Sequence, residues 1–405
     1  MTSETSVTST KTRAWPIFLA FVAMGFGDAA GPCVSLAKEQ FHLTNFAAQL
    51  VPFAGLLMFG ILSVPMGVYQ DLKGKKFILM LGLCIMLAGL LIPPLTGLST
   101  FPVLLMTMLL LGAGATTLQV SGNPIMRDVS PPGKYSRNLS LAQFVKAIGS
   151  LSGPLIPVIA ARAFGASRNV MFHVMFPLYS AAVIVALLVL VPLRVHERKE
   201  LGHKPVTFSS CLGLLRNGYV AMMVAAIFLY VGAEVSVSSG IPLYWKERFL
   251  EDVDVNRIGL LGTGLFFFFL TIGRFSGGVI LNWMKPKNFL VATCALSGAG
   301  LLGMFLPAGK NVAIASVILI GLGFANVFPL IFSIVVDSMP DKTNALSGLM
   351  VMAIIGGAVV PPVMGLVADA LHSTQMAFGV PLAALLCITW AAVANWNRSA
   401  VEQPL

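Results

Sequence analysis

The chain has 405 residues, of which 57% are hydrophobic and only 10% are charged. A soluble domain typically carries about 25% charged residues, so this composition excludes an ordinary soluble domain and indicates a polytopic membrane protein. The formal net charge of +10 requires no nucleic-acid partner, because basic loops between apolar segments account for it.

Apolar runs of about 20 residues, long enough to cross a bilayer as helices, recur along the whole chain. They predict an all-α membrane protein with twelve transmembrane helices. The predicted spans are 14–37, 46–70, 77–95, 101–125, 138–162, 170–194, 214–245, 257–282, 288–308, 311–336, 343–368 and 374–396. The first 13 residues are polar and no small-residue cleavage site follows the first run, so we expect no cleaved signal peptide.

Lysine and arginine are distributed unevenly between the two sides of the predicted membrane. With the N-terminus inside, the inner segments hold about 17 of these residues and the outer segments about 7. This asymmetry predicts a multi-pass protein of the plasma (inner) membrane with both termini cytoplasmic. The longest inner loop lies near the middle of the chain. We therefore predict an N-terminal six-helix bundle at 1–195, a cytoplasmic linker at 196–210 and a C-terminal six-helix bundle at 211–405.

The two halves of the chain repeat short sequence elements about 209 residues apart. The repeated elements are KEQF at Lys38–Phe41 and KERF at Lys246–Phe249, GAG at Gly112–Gly114 and GLG at Gly321–Gly323, and Asp128 and Asp337. Such a repeat predicts two pseudo-symmetric halves related by an axis along the membrane normal. We assign both aspartates to a conformational gate.

The inner loop after the second span reads GVYQDLKGKK and resembles the major facilitator superfamily signature GxxxDxxGRK. Gly67 permits close helix approach, and Asp71 can bind a helix N-terminus or a basic partner. Gly74 permits a tight turn. Lys75 stands where the signature has arginine, and Lys76 follows it. We expect these residues to control conformation rather than to contact substrate.

Four charged residues lie deep within predicted spans: Asp28, Lys146, Glu234 and Arg274. Charges at that depth face a cavity or one another. Asp28 and Lys146 are predicted to form a pair that breaks when Asp28 is protonated, and hence to couple transport to a cation. A purely structural ion pair is the alternative. Glu234 is a second coupling candidate, and Arg274 is expected to brace a gate, with a ligand role as the alternative.

Amide side chains occupy matching helix faces in the fourth and fifth spans. Gln119 and Asn123 are four residues apart, and Gln143 precedes Lys146 by three, so each pair lies on one face. Together with Asn326 of the tenth span, they predict a polar cavity between helices. Amides with few charges suit a neutral polyol, because each hydroxyl both donates and accepts hydrogen bonds.

Several stretches resemble the fucose permease-like family of sugar–cation symporters, which includes glucose/galactose transporters. They are Phe41–Leu50, Gln119–Pro124, Asn138–Gln143, Tyr230–Ser239, Gly273–Gly278, Phe328–Asp337 and Ser347–Pro361. The resemblance implies import of a neutral hexose or deoxyhexose by alternating access, driven by protons or sodium and without another cofactor. It also implies a substrate site formed by Gln119, Asn123, Gln143, Glu234 and Asn326.

The chain departs from this family at two positions. Gln119 stands where some members have a proton-binding carboxylate, and an amide cannot titrate. Lys146 replaces a more typical amide, and its ammonium near Asp28 could take the place of a bound cation. An uncoupled sugar uniporter and a transporter of an anionic sugar acid therefore stay open as alternatives. We expect a monomer whose partners are a small sugar and the lipid bilayer, and no enzyme.

Overall fold

The computed structural model describes residues 15–27, 37, 41–43, 45–97, 100–164, 170–193, 206–249, 260–306 and 309–394. This part of the chain is helical and contains no strand. The helices of the first half are α1 (Trp15–Phe26), α2 (Asn45–Lys73), α3 (Lys75–Thr96), α4 (Phe101–Asp128), α5 (Tyr135–Phe164) and α6 (Val170–Leu190).

The described residues of the second half form ten further α-helices, several of which join end to end within one span. They are α7 (Phe208–Gly213), α8 (Gly218–Phe249), α9 (Leu265–Ile280), α10 (Pro286–Gly303), α11 (Lys310–Phe324), α12 (Val327–Ser338), α13 (Thr343–Met352), α14 (Gly356–Leu371), α15 (Thr374–Ala377) and α16 (Gly379–Ala394). A π-helical turn at Leu260–Gly264 precedes α9, and a 3-10 turn at Ala353–Ile355 joins α13 to α14.

These helices form the twelve spans expected from the sequence. Eight helical stretches among the described residues are long and apolar enough to cross a membrane, and two shorter apolar helices lie at 15–26 and 175–190. Helices α5 and α10 complete the set. Large apolar side chains are exposed on the outside of the bundle, including Leu95 at 81% and Trp283 at 80%. Extensive exposed apolar surface is typical of a protein that contacts lipid.

Two spans differ from the prediction in their local geometry. The seventh span begins at Gly218, four residues later than predicted, because Asn217 caps the helix by accepting hydrogen bonds from the amides of Tyr219 and Val220. The tenth span is two helices, α11 and α12, rather than the continuous helix predicted at 311–336. The cause is Pro329, which is discussed with the site below.

The repeated glycines Gly112–Gly114 and Gly321–Gly323 lie at corresponding contacts in the two halves. Each segment places its first and last glycine against two neighbouring spans, where an added Cβ would overlap the neighbour. In order, the four neighbours are Gly55 of α2, Met86 of α3, Phe266 of α9 and Ser297 of α10. The fourth span thus packs on the second and third, as the tenth packs on the eighth and ninth. Small residues permit such close approach.

The predicted domain boundaries remain predictions. Most of the linker predicted at 196–210 lies outside the described residues, as do the two chain termini.

Candidate functional site

The amides of the fourth and fifth spans come together as an amide cluster, formed by Gln119, Asn123 and Gln143. All three side chains are at most 2% exposed. The Nε2 of Gln143 donates to the Oδ1 of Asn123 at 3.3 Å, so the predicted polar faces of α4 and α5 do meet. Gln119 lies one turn before Asn123 on α4.

Asn123 holds an unused hydrogen-bond donor. Its backbone carbonyl accepts from the hydroxyl of Tyr135 at 3.0 Å, which fixes the start of α5 against α4. Its Nδ2 is buried and has no hydrogen-bond partner among the described residues. A buried amide donor without a partner is uncommon in folded proteins. An oxygen atom of a bound ligand would satisfy this donor.

Lys146 is half-buried on α5, one turn after Gln143. Its predicted partner Asp28 lies outside the described residues, which stop at Gly27, just after α1, and continue at Ala37. Helices α1 and α5 pack so closely that a Cβ on Gly25 would overlap the carbonyl oxygen of Lys146. The end of α1 therefore lies close to Lys146. The coupling role of Asp28 and Lys146 stays a prediction.

Glu234 and Arg274, the two charged residues predicted deep within spans of the second half, form an ion pair that was not predicted from the sequence. Nη2 of Arg274 on α9 lies 3.6 Å from Oε1 of Glu234 on α8, and both side chains are largely buried. The Nε of Arg274 also donates to the carbonyl of Ala325 at 3.4 Å. Arg274 thus links α8 and α9 to the tenth span, while its predicted gating role and the predicted substrate role of Glu234 stay predictions.

The break between α11 and α12 explains why Ala325 needs that donor. Pro329 has no N–H, so the carbonyl four residues earlier, that of Ala325, loses its usual helical partner. The adjacent carbonyl of Phe324 accepts from the hydroxyl of Tyr230 at 2.9 Å. Side chains from α8 and α9 therefore satisfy the backbone at the break. Tyr230 was not among the predicted site residues, although Pro329 in the sequence signals a freed carbonyl.

Asn326 lies at this break and is 1% exposed. Its Nδ2 donates to the carbonyl of Gly273 at 2.7 Å, which ties α12 to α9. Its Oδ1 is buried and has no partner among the described residues. The second half thus offers an unused acceptor, whereas the amide cluster offers an unused donor. We refer to Tyr230, Glu234, Arg274 and Asn326 as the charged cluster.

Except for Arg274, the predicted gating residues lie at one end of the bundle, which we call the loop end because it holds the turn between α2 and α3. Lys75 Nζ lies 2.6 Å from Asp128 Oδ2, with both side chains buried. Arg127 Nε lies 3.1 Å from Asp337 Oδ1 and joins the two halves. Lys75, Asp128 and Asp337 were predicted as gating residues without their partners. Arg127 was not predicted, because it resembles an ordinary basic loop residue.

The signature turn has the geometry that its residues predict. Asp71 accepts hydrogen bonds from the Nδ2 of Asn344 at 2.8 Å and from the amide of Val206 at 2.9 Å, both from outside its own half. Lys76 donates to the carbonyl of Val191 at the end of α6. Gly74 adopts a φ of 92°, which favours glycine.

Gly67 packs on α13 so closely that a Cβ would lie 3.0 Å from the Cα of Gly348. The expected close helix approach at Gly67 is therefore present, and it lies between the two halves at the loop end. Within the described ranges, no group of three or more His, Cys, Asp or Glu side chains is placed to hold a metal ion.

Comparison with known proteins identifies the family. The family model described as Major Facilitator Superfamily matches residues 17–354. The chain belongs to this superfamily. A glucose/galactose transporter of Brucella abortus is 28% identical over 358 residues, covering 85% of this chain and 84% of that protein. An L-fucose-proton symporter of Escherichia coli is 27% identical over 374 residues, with 85% and 84% covered.

The fold of the superfamily is also seen by superposition. The crystal structure of the superfamily transporter FucP in the outward conformation matches with a TM-score of 0.79 at 21% identity, covering 93% of this chain and 98% of that chain. The twelve-span architecture and the resemblance to fucose and glucose/galactose transporters are thus confirmed. Superfamily membership makes the chain a multi-pass membrane transporter rather than an enzyme.

Proposed function

We propose that the chain is a secondary active transporter of a neutral monosaccharide, a hexose or deoxyhexose, that works by alternating access. The observation that carries the proposal is a pair of unused, buried amide atoms, Asn123 Nδ2 in one half and Asn326 Oδ1 in the other. One is a donor and the other an acceptor, and a sugar hydroxyl can satisfy either. Relatives that are named as transporters of fucose or of glucose and galactose support the same substrate class.

The charge balance of the second half favours a neutral substrate. Arg274 is already engaged by Glu234 and by the carbonyl of Ala325. An anionic sugar acid would have to displace Glu234 from Arg274 or depend on Lys146 alone. Competition between hexoses and hexuronates for uptake separates the two substrates: inhibition by hexuronates alone would reject the neutral-sugar proposal.

We further propose that Asp28 and Lys146 carry cation coupling, with Glu234 as a second candidate. Gln119 cannot bind a proton, so Asp28 is the titratable group of the first half that is left for this role. The proton is the favoured ion because the relative from Escherichia coli is named a proton symporter. Sodium and uncoupled transport are the alternatives.

Replacing Asp28 with Asn tests the coupling proposal. The variant removes the titratable carboxyl and keeps a similar shape, so uphill accumulation of sugar should be lost while sugar exchange across the membrane persists. Uptake and counterflow in proteoliposomes, with and without an imposed proton or sodium gradient, measure the two activities. Equal loss of both would reject this division of roles.

Contacts between the halves support an outward-facing state. Arg127 with Asp337, and Ser136 with Ser333, join the halves at the loop end. The positive-inside distribution favours the cytoplasmic side of the plasma (inner) membrane for this end. Gly67, Asp71, Lys75, Lys76, Asp128, Arg274 and Asp337 are the proposed gating residues. In this reading the contacts of these residues other than Arg274 hold the cytoplasmic side closed, and Arg274 braces the break in the tenth span.

A thermal-shift screen of the purified protein tests the substrate class. Binding stabilises a folded protein by mass action, so a transported hexose should raise the melting temperature in a concentration-dependent way. The panel should contain hexoses, deoxyhexoses and hexuronates, each with and without sodium and at two pH values. Stabilisation by hexuronates and by no neutral sugar would contradict the proposal.

A further inference from the structure

Among the described residues, three prolines within spans free a carbonyl that a neighbouring helix or turn then satisfies. Proline lacks the N–H that would bond the carbonyl four residues earlier, so that carbonyl needs another donor when it is buried. Prolines 124, 242 and 329 each meet this condition. The three carbonyls and their donors are Val120 with Ser347, Ser238 with Thr263, and Ala325 with Arg274.

One of these three bonds joins the two halves of the transporter. Ser347 on α13 donates through Oγ to the carbonyl of Val120 on α4 at 2.6 Å. Both residues are 0% exposed. The other two bonds lie within the second half, between α8 and the turn before α9, and between α9 and α11. Relative motion of the halves therefore breaks only the Ser347 bond among the three.

The surroundings of this bond keep water away from the carbonyl. The residue after Ser347 is Gly348, which packs against Gly67 of α2. This contact holds α13 close to the first half beside the bond. Without the serine hydroxyl, the carbonyl of Val120 would stay buried with no donor as long as the halves stay closed here. Once the halves separate, water can reach it.

We propose that Ser347 is a positioning residue that stabilises the closed loop end selectively, by satisfying the carbonyl that Pro124 frees. The inference rests on the proposed alternating access but not on the sugar specificity. In the closed state the carbonyl depends on Ser347. In the separated state water replaces the hydroxyl, so the bond favours one state over the other. Because Pro124 has no N–H, the carbonyl of Val120 in α4 takes its donor from the other half.

Spin-label distance measurements test this without any substrate. Labels at Pro132 and Asp341, exposed loop positions with one in each half, report separation of the loop end. The chain has five cysteines, so the labels require a cysteine-free background. A buried carbonyl without a partner is destabilising enough that Ser347→Ala should shift the ratio of separated to closed states by about tenfold.

The proline provides the decisive second variant. In Pro124→Ala the new N–H can satisfy Val120 within α4, so Ser347→Ala added to that background should shift the ratio little. Ser347→Cys, a weaker donor of similar size, should give an intermediate shift. Thr263→Val is the matched control, since it removes the same kind of bond within one half, and it should leave the ratio unchanged.

The outcomes are distinguishable. An equal shift by Ser347→Ala with and without Pro124, or an equal shift by Thr263→Val, would overturn the role of Ser347. No shift by Ser347→Ala, in a protein whose loop-end distance does change when a transported sugar is added, would overturn it too. A distance that never changes in any variant or with any sugar would instead contradict alternating access itself.

Discussion

The amide cluster of the first half and the charged cluster of the second half are built differently, although the halves repeat. In the first, neutral amides bond one another and Asn123 retains an unused donor. In the second, an ion pair and three side chain–backbone bonds support a helix break. The difference shows that the polar side chains of the second half mainly hold a helix break together, whereas those of the first half bond one another and leave a buried donor unused.

Breaking the ion pair should have the largest effect on stability. Arg274→Gln leaves Glu234 buried without its cation, so the free energy of unfolding should fall by about 3–5 kcal/mol. Denaturant unfolding in detergent measures it. The double variant Glu234→Gln/Arg274→Gln should recover most of the loss, because no charge is left unpaired.

Arg248→Gln is the matched control for that change. Arg248 lies in the last turn of α8 and donates to the neutral side chain of Gln375. Its loss should lower stability by about 1 kcal/mol. A double variant as unstable as Arg274→Gln alone would show that the pair does not brace the second half.

A substitution in the amide cluster should lower sugar affinity strongly and stability only a little. Asn123→Ala removes the unused donor, so sugar affinity should fall by about tenfold to a hundredfold with only a small loss of stability. Asn326→Ala should lower stability more, since the bond it removes, to the carbonyl of Gly273, is 2.7 Å long, whereas the bond from Gln143 that Asn123→Ala removes is 3.3 Å long. Equilibrium binding and thermal melting on the same samples give both quantities. Equal stability losses in the two variants would remove the distinction.

Removing one hydroxyl at the helix break should have a smaller effect. Tyr230→Phe leaves the carbonyl of Phe324 without its side-chain donor, and stability should fall by about 1–2 kcal/mol. Tyr179→Phe is the matched control in the first half, because Tyr179 is equally buried and its hydroxyl bonds Ser152 rather than a helix break. The turnover of sugar exchange should fall only in Tyr230→Phe, since of these two tyrosines only Tyr230 supports the break.

The smallest effect is expected at the loop end. Asp337 is 46% exposed in its pair with Arg127, so Asp337→Asn should shift the balance between closed and separated states by less than about 1 kcal/mol. Added salt should reduce the wild-type advantage, because exposed pairs are screened. A shift that is independent of salt would mean that the pair does not act through its charge.

Much of this architecture could be predicted from the sequence, because hydropathy and the half-repeat depend on local order along the chain. The meeting of Asn123 with Gln143 followed from helical spacing. The pairing of Glu234 with Arg274 did not, because partners on different helices depend on helix rotation and register. Pro329 could have indicated the helix break, but the continuous hydropathy of 311–336 indicated a single helix. Asp28 lies outside the described residues, so its predicted role stands untested.

Sugar counterflow in proteoliposomes tests the central claim most directly. The account predicts saturable exchange of a neutral hexose or deoxyhexose that persists in Asp28→Asn and weakens strongly in Asn123→Ala. Exchange of hexuronates alone, or hexose exchange with the same apparent affinity in Asn123→Ala and wild type, would contradict it.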